Sequence, residues 1–217
     1  MTARLLLVRH GETEWHAENR YAGSSDVALT ARGLRQADEL GRWAATHGAD
    51  AVACSPLSRA RRTAAPAAEA LGLRPEVYEG LREMHFGWGE GRTIAEMEAE
   101  DAEIVRRFRD DPEGGAFPDA ELPSSAAARA TAALRELAGR HAGGTVLVVA
   151  HNSLLRVALC GLLDIPVGRY RAIFPRLDNA AVTRVDLDGE RAALRSLNVP
   201  TGRPSAGPGR APGEAGA

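Results

Sequence analysis

The segment Thr145–Ala150, TVLVVA, constrains the fold more than any other part of the chain. It is apolar and rich in β-branched residues, with none of the polar alternation of a half-wetted strand. A strand of this kind is covered on both faces, so the sheet must lie between layers of helix. It stops abruptly at His151-Asn152. Leu5–Val8 is a second apolar run, and it stops as abruptly at Arg9-His10-Gly11. Asp50–Cys54 and Glu76–Tyr78 read as two further short strands. Ala181–Asp186 and Ala192–Leu197 read as late strands joined at Asp188-Gly189.

Helical patterns separate these strands. Thr30 caps a helix to about Ala45, with Leu34, Ala37, Leu40, Gly41 and Ala44 on one face. Ser55-Pro56 reads as a cap with proline in the first turn, opening a helix through about Leu71 that Gly72 closes. Helices are also expected from Thr93 to about Arg109, from Ser124 or Ser125 to about His141, and from about Ser153 to Leu163, with Asp110–Pro123 as a loop. The alternation predicts an α/β fold: a three-layer α/β/α sandwich with a mostly parallel central sheet. Residues 1–199 are expected to form one catalytic domain. Residues 200–217 are rich in Pro and Gly, almost free of large apolar side chains, and read as a disordered tail.

Composition removes several function classes. Net charge is −2, with no basic excess for a nucleic-acid or anionic-membrane partner. All 27 cationic residues are arginine. Lysine Schiff-base chemistry and the lysine of a P-loop are therefore absent, and phosphate would be held by arginine, histidine or backbone N–H groups. The two cysteines, Cys54 and Cys160, form neither a disulfide framework nor a zinc pattern. The N-terminal apolar run is too short for a signal peptide and no segment is long enough for a membrane span, so a cytoplasmic location is expected.

In open α/β sheets ligands gather at the carboxyl ends of strands. Arg9-His10-Gly11, the Cys54–Thr63 segment CSPLSRARRT and His151-Asn152 all follow strands here. A parallel sheet would bring them to one edge. Arginine's fork suits phosphate oxygens and neutral imidazole is a nucleophile, so the cluster suits a phosphoryl group. Cys54 is a core residue on this reading, because its spacing to Arg59 and the lack of a glycine cradle do not fit a cysteine phosphatase.

Five ordered blocks then match a known pattern: LLLVRHGETEW (Leu5–Trp15), ENRYAGSSDVALTARGLRQA (Glu18–Ala37), SPLSRARRT (Ser55–Thr63), LREMHFGWGEGRT (Leu81–Thr93) and VVAHNSLLR (Val148–Arg156). LDNAAVTRV (Leu177–Val185) is a weaker late match. Together they resemble the histidine phosphatase superfamily, which includes cofactor-dependent phosphoglycerate mutase. The resemblance implies that His10 attacks phosphorus and becomes phosphohistidine. It implies that Arg9 and Arg59 clamp the phosphoryl oxygens and that His151, as a cation, donates a further hydrogen bond. Glu83 would protonate the leaving oxygen and then activate water. His16, Gly23 and Asn152 would contact the substrate. No metal or organic cofactor is implied. The partner is a small-molecule phosphate ester, and a homodimer stays open.

Two departures from the family pattern stand out. His16 occupies a position where asparagine is usual, and Asp119–Ser125 reads DAELPSS where the family often has Gly-Glu-Ser. Outside the matched roles, Arg106, Arg107 and Arg109 are candidates to select an anionic substrate, and Trp15 or Trp88 could line the pocket mouth. Three functions fit: a phosphatase, a mutase that returns the phosphoryl group to another hydroxyl, and a non-catalytic phospholigand- or protein-binding module. The short stretch between Glu83 and His151 favours hydrolysis over a mutase. The presence of Arg9, His10, Arg59, Glu83 and His151 together argues against a binding module.

Overall fold

The computed structural model describes residues 1–202. The strands are β1 (Ala3–Arg9), β2 (Ala51–Cys54), β3 (Glu76–Val77), β4 (Thr145–Ala150), β5 (Val182–Asp188) and β6 (Arg191–Val199). They form one sheet in the order β3-β2-β4-β1-β5-β6. β1, β2, β3 and β4 run parallel, and β5 and β6 complete the sheet antiparallel. The helices are α1 (Ala31–His47), α2 (Ser58–Leu71), α3 (Ile94–Asp110), α4 (Pro123–Arg140), α5 (Asn152–Leu162) and α6 (Tyr170–Ile173). The expected tail beyond residue 202 lies outside the described residues.

Successive residues of β1 and β4 feed opposite cores, as a period of two requires. Leu5, Leu7, Val146 and Val148 pack with α4 and α5, whereas Leu6, Val8, Leu147 and Val149 pack with α1 and α2. This is why TVLVVA has no polar position. Leu147 is fully buried, and truncating a leucine in such a setting costs about 2–5 kcal/mol. A third, smaller cluster of Met97, Val105, Phe108 and Phe117 packs under α3 with Tyr21 and Trp88. α3 is broken at Asp101, whose carboxylate caps its second half by accepting from the N–H groups of Glu103 and Ile104.

Three local expectations need correction. Leu34 is exposed, and Gly33 takes its place on the buried face of α1. Ser55-Pro56 does not cap α2, which starts at Ser58 after Leu57. α4 starts at Pro123 instead of Ser124 or Ser125, with proline in its first turn, where a missing N–H costs nothing. Among the described residues no helix is long and apolar enough to cross a membrane.

Candidate active site

The sheet order makes β2, β4 and β1 neighbours, so the residues following their carboxyl ends, Ser55, His151 and His10, lie side by side. His10 is fixed from two directions. Its N–H donates to Ala150 O (2.9 Å), and Asn179 Nδ2 donates to its carbonyl (2.7 Å). The next residue must be glycine: a Cβ on Gly11 would lie 2.6 Å from Gly33 O at the start of α1. Gly11 N–H donates to Thr63 Oγ1 on α2 (2.9 Å).

The His10 ring points Nδ1 at Gly11 O, 2.7 Å away. A carbonyl only accepts, so the proton sits on Nδ1 and Nε2 keeps its lone pair. Burial, and then the charges of Arg59 and Arg9, hold the His10 pKa well below its ordinary 6.5. At neutral pH the side chain is a neutral imidazole with Nε2 free to attack.

His151 lies with its ring centroid 5.1 Å from that of His10. Its Nε2 meets Ser55 Oγ at 2.7 Å. Burial first, then Arg59 and His10, also push its pKa well below 6.5. The expected cation is therefore a neutral ring in the protein alone; a phosphoryl dianion beside it acts in the opposite direction and favours the charged form.

The two arginines are held mainly by backbone. Arg9 donates to Leu177 O (2.8 Å), and its other terminal nitrogen lies 2.7 Å from His16 Nε2. Burial lowers its pKa to about 10, so it stays a cation at neutral pH. Arg59 is fully buried and donates to Ser25 O (2.6 Å), Gly23 O (2.8 Å) and Ala22 O (3.1 Å). Its terminal nitrogens thus brace the 22–25 loop, a departure from the expected clamp. Among the described residues the buried Nε of Arg9, Nε of Arg59 and Nδ1 of His151 have no hydrogen-bond partner. Buried polar atoms are rarely left so; three others, on Thr131, Arg135 and His141, lie in or just after α4, whereas these three belong to groups beside His10.

Glu83 caps α5 from outside. Its carboxylate accepts from Leu154 N (2.8 Å), Ser153 N (3.1 Å) and Met84 N (2.9 Å). These bonds favour the charged form, but burial outweighs them and raises its pKa. Arg129 of α4 supports this segment by donating to the carbonyls of Gly80 (3.0 Å), Arg82 (2.7 Å) and Glu83 (3.2 Å). Arg129 is paired with Glu121 at 2.6 Å, so the divergent DAELPSS segment supplies a brace for the carboxyl group.

A cleft of about 290 Å³ opens over these groups, and Arg9, His10, His16, Glu83 and Asn152 line it. Arg59, Gly23 and the fully buried His151 do not. Gly23 commits its N–H to Glu90 (2.9 Å) and its carbonyl to Arg59, which corrects its expected contact with substrate. Asn152 keeps its place on the wall, with Oδ1 accepting from Leu177 N (3.1 Å).

His16 faces donors at both ring nitrogens: Arg9 at Nε2, and Thr13 N–H at Nδ1 (3.0 Å). A neutral ring can accept from one of them, an imidazolium from neither. The charge-assisted contact to Arg9 is the stronger, so Nε2 holds the lone pair and Nδ1–H turns to Thr13 Oγ1 (2.8 Å). Burial first, then Arg9, lowers the His16 pKa to about 4. His16 therefore orients Arg9 instead of offering an N–H to phosphate.

Of the remaining candidates, Trp15 lines the cleft and Trp88 does not. Arg106 and Arg109 form exposed ion pairs with Glu103, Asp110 and Glu98 on α3, and neither they nor Arg107 reach the cleft. Cys54 is a core residue whose thiol pKa burial pushes up to about 11. Sequence reasoning missed Ser55, Thr63, Asn179 and Arg129 as supports of the site, and Arg156 and Arg171 on its wall. Ser55 and Thr63 lie at the two ends of the SPLSRARRT block, Arg156 ends the VVAHNSLLR block and Asn179 lies in the weak LDNAA block, so these four carried a signal that could have found them; Arg129 and Arg171 lie outside every matched block.

Comparison with known proteins agrees with this fold. Residues 5–200 match the model of the histidine phosphatase superfamily (branch 1). The chain is 37% identical over 183 residues to a protein named Probable phosphoglycerate mutase GpmB from Klebsiella pneumoniae, covering 84% of each. It is 31% identical over 196 residues to Phosphoserine phosphatase 1 of Hydrogenobacter thermophilus, covering 90% of this chain and 92% of that one. The structure of a mycobacterial glucosyl-3-phosphoglycerate phosphatase superposes with a TM-score of 0.83 at 27% identity, over 92% of this chain and all (100%) of that one. The chain belongs to the histidine phosphatase superfamily, branch 1.

Proposed function

We propose that the protein hydrolyses a small-molecule phosphomonoester through a phosphohistidine on His10. Family membership and the phosphatase-named relatives support phosphatase or mutase chemistry. The observation that carries the finer reading is the grouping of three buried, unpartnered polar atoms, on Arg9, Arg59 and His151, around a neutral histidine. Phosphoryl transfer needs positioning and charge neutralisation more than covalent help, and fixed cations beside one nucleophile supply both.

In the first step Nε2 of His10 bonds to phosphorus as the ester P–O bond breaks. Protonated Glu83 gives its proton to the leaving oxygen; burial raises its pKa and so favours the protonated form. In the second step the Glu83 carboxylate takes a proton from water, the water oxygen bonds to phosphorus, and the P–N bond breaks. Every group in this scheme belongs to the chain, so no resident metal is invoked.

A mutase would use the same groups and differ only in the acceptor, a substrate hydroxyl in place of water. The mutase-named relative keeps that reading in view. Turnover of a phosphomonoester panel in ¹⁸O-water separates the two. Hydrolysis predicts one ¹⁸O in each released phosphate without a bisphosphate primer. Primer-dependent isomerisation with no free phosphate contradicts it.

A further inference from the structure

We infer that Arg156, Arg171 and the Tyr21 hydroxyl form a second anion-binding subsite on the outer wall of the cleft, so that the substrate carries a second oxyanion besides its phosphoryl group. This rests on the phosphomonoester reading and narrows it to a substrate class.

Arg156 lies one helical turn beyond Asn152 on α5, so both present to the cleft that His10 lines. Arg171 reaches the same wall from α6. Both guanidinium groups sit around the Tyr170 ring, at 4.8 Å for Arg156 and 6.0 Å for Arg171, and Arg171 also lies 4.3 Å over Phe108. Arg156 Nε donates to Phe174 O, and Arg171 donates to Tyr21 Oη (2.9 Å). These contacts orient the two groups without neutralising either charge.

Like Arg9, and unlike Arg20, these two cleft-lining arginines lack a carboxylate partner among the described residues. Arg20, on the same cleft, pairs with Glu18 and Glu96. Arg92, Arg106, Arg109, Arg129 and Arg140 also have carboxylate partners. Among the described residues neither Arg156 nor Arg171 has one. The single carboxylate among the described residues lining the cleft is Glu83, which is committed to three backbone N–H groups. Two like charges sharing one ring, one of them on a buried residue, repel each other, and an oxyanion between them relieves that cost. Guanidinium forks fit a carboxylate and a phosphate equally well. A cleft of about 290 Å³ suits a small metabolite bearing both groups.

Two substrate pairs test this. 3-Phosphoglycerate and glycerol 3-phosphate differ by a carboxylate, and fructose 1,6-bisphosphate and fructose 6-phosphate differ by a phosphate. The subsite predicts that kcat/KM favours the doubly anionic member of at least one pair by about tenfold or more, and the preferred pair identifies the oxyanion. Arg171→Met should bring that ratio close to one, and Arg171→Lys should restore part of it. A ratio near one in the wild type for both pairs, or a preference that survives Arg171→Met, overturns the inference. If no ester is turned over, the proposed hydrolysis fails separately. Calorimetric binding of the same compounds to the His10→Ala protein then decides the subsite, which is lost if neither doubly anionic compound binds more tightly than its partner.

Discussion

At the inner corner, Arg9 on β1 and Arg59 on α2 are held by backbone carbonyls, with His16 also on Arg9, whereas on the outer wall Arg156 and Arg171 pack against aromatic rings, each with one further hydrogen bond, to Phe174 O and Tyr21 Oη. Carbonyls of a hydrogen-bonded scaffold move little and set a donor's direction closely. Rings hold a cation in place while leaving most of its N–H groups free. The inner corner is thus built for one fixed geometry, which suits the proposed phosphoryl transfer. The outer wall can change its ligand by changing a few side chains, which suits selection among substrates.

The contrast can be broken at the inner corner. Glu83→Gln keeps the shape but removes the transferable proton. For an alkyl phosphate, kcat should fall about 100- to 1,000-fold, and the basic limb of the pH profile should disappear. With 4-nitrophenyl phosphate, whose leaving group needs no proton, the first step should be affected far less, as single-turnover release of nitrophenol will show. Equal losses of that step for both esters would count against the acid role.

Ser55→Ala should come next in size. It removes the partner 2.7 Å from His151 Nε2 and leaves both ring nitrogens of a fully buried histidine unpaired. Urea unfolding should show a loss of about 1–3 kcal/mol. An unchanged midpoint and slope would mean that Ser55 does not hold His151.

The smallest effect sharpens the comparison through pH. His16 has a pKa of about 4 in the fold against an ordinary 6.5, so the unfolded chain takes up its proton first. Its contribution to stability is present above pH 6.5 and is lost as pH falls from there toward 4. His16→Asn removes that term. The variant should lose about 1 kcal/mol less than the wild type between pH 7 and pH 5, allowing for solvent screening of a partly exposed ring. Parallel stability curves would contradict the assignment.

How much of this was legible in the sequence depends on where each residue's partner lies. His10, Arg9 and His151 stand where apolar strands stop, so the strand pattern itself exposed them, and the strand order then brought them together. Glu83 was visible only through its surrounding block, because nothing local distinguishes one carboxylate from its neighbours. Ser55 was misread because Ser-Pro is a strong local signal for a helix start, while its partner His151 lies 96 positions away. Arg171 has an ordinary helical context, Arg156 merely ends a matched block, and what joins them is a place on the cleft wall without a carboxylate partner among the described residues, a property of tertiary structure. Arg106, Arg107 and Arg109 attracted notice by clustering in sequence. Leu34 fits the periodicity of α1, yet the helix turns Gly33 to the core in its place.

All of this depends on His10 being the atom donor to phosphorus. Mixing the protein with a ³²P-labelled phosphomonoester and quenching within milliseconds tests it. The wild type should yield label on His10 that is labile to acid and stable to alkali, located by peptide mapping after an alkaline quench, and formed at a rate no slower than turnover. The His10→Ala protein should yield none and release no phosphate. Label on another residue, or full turnover by His10→Ala, would contradict the phosphohistidine mechanism.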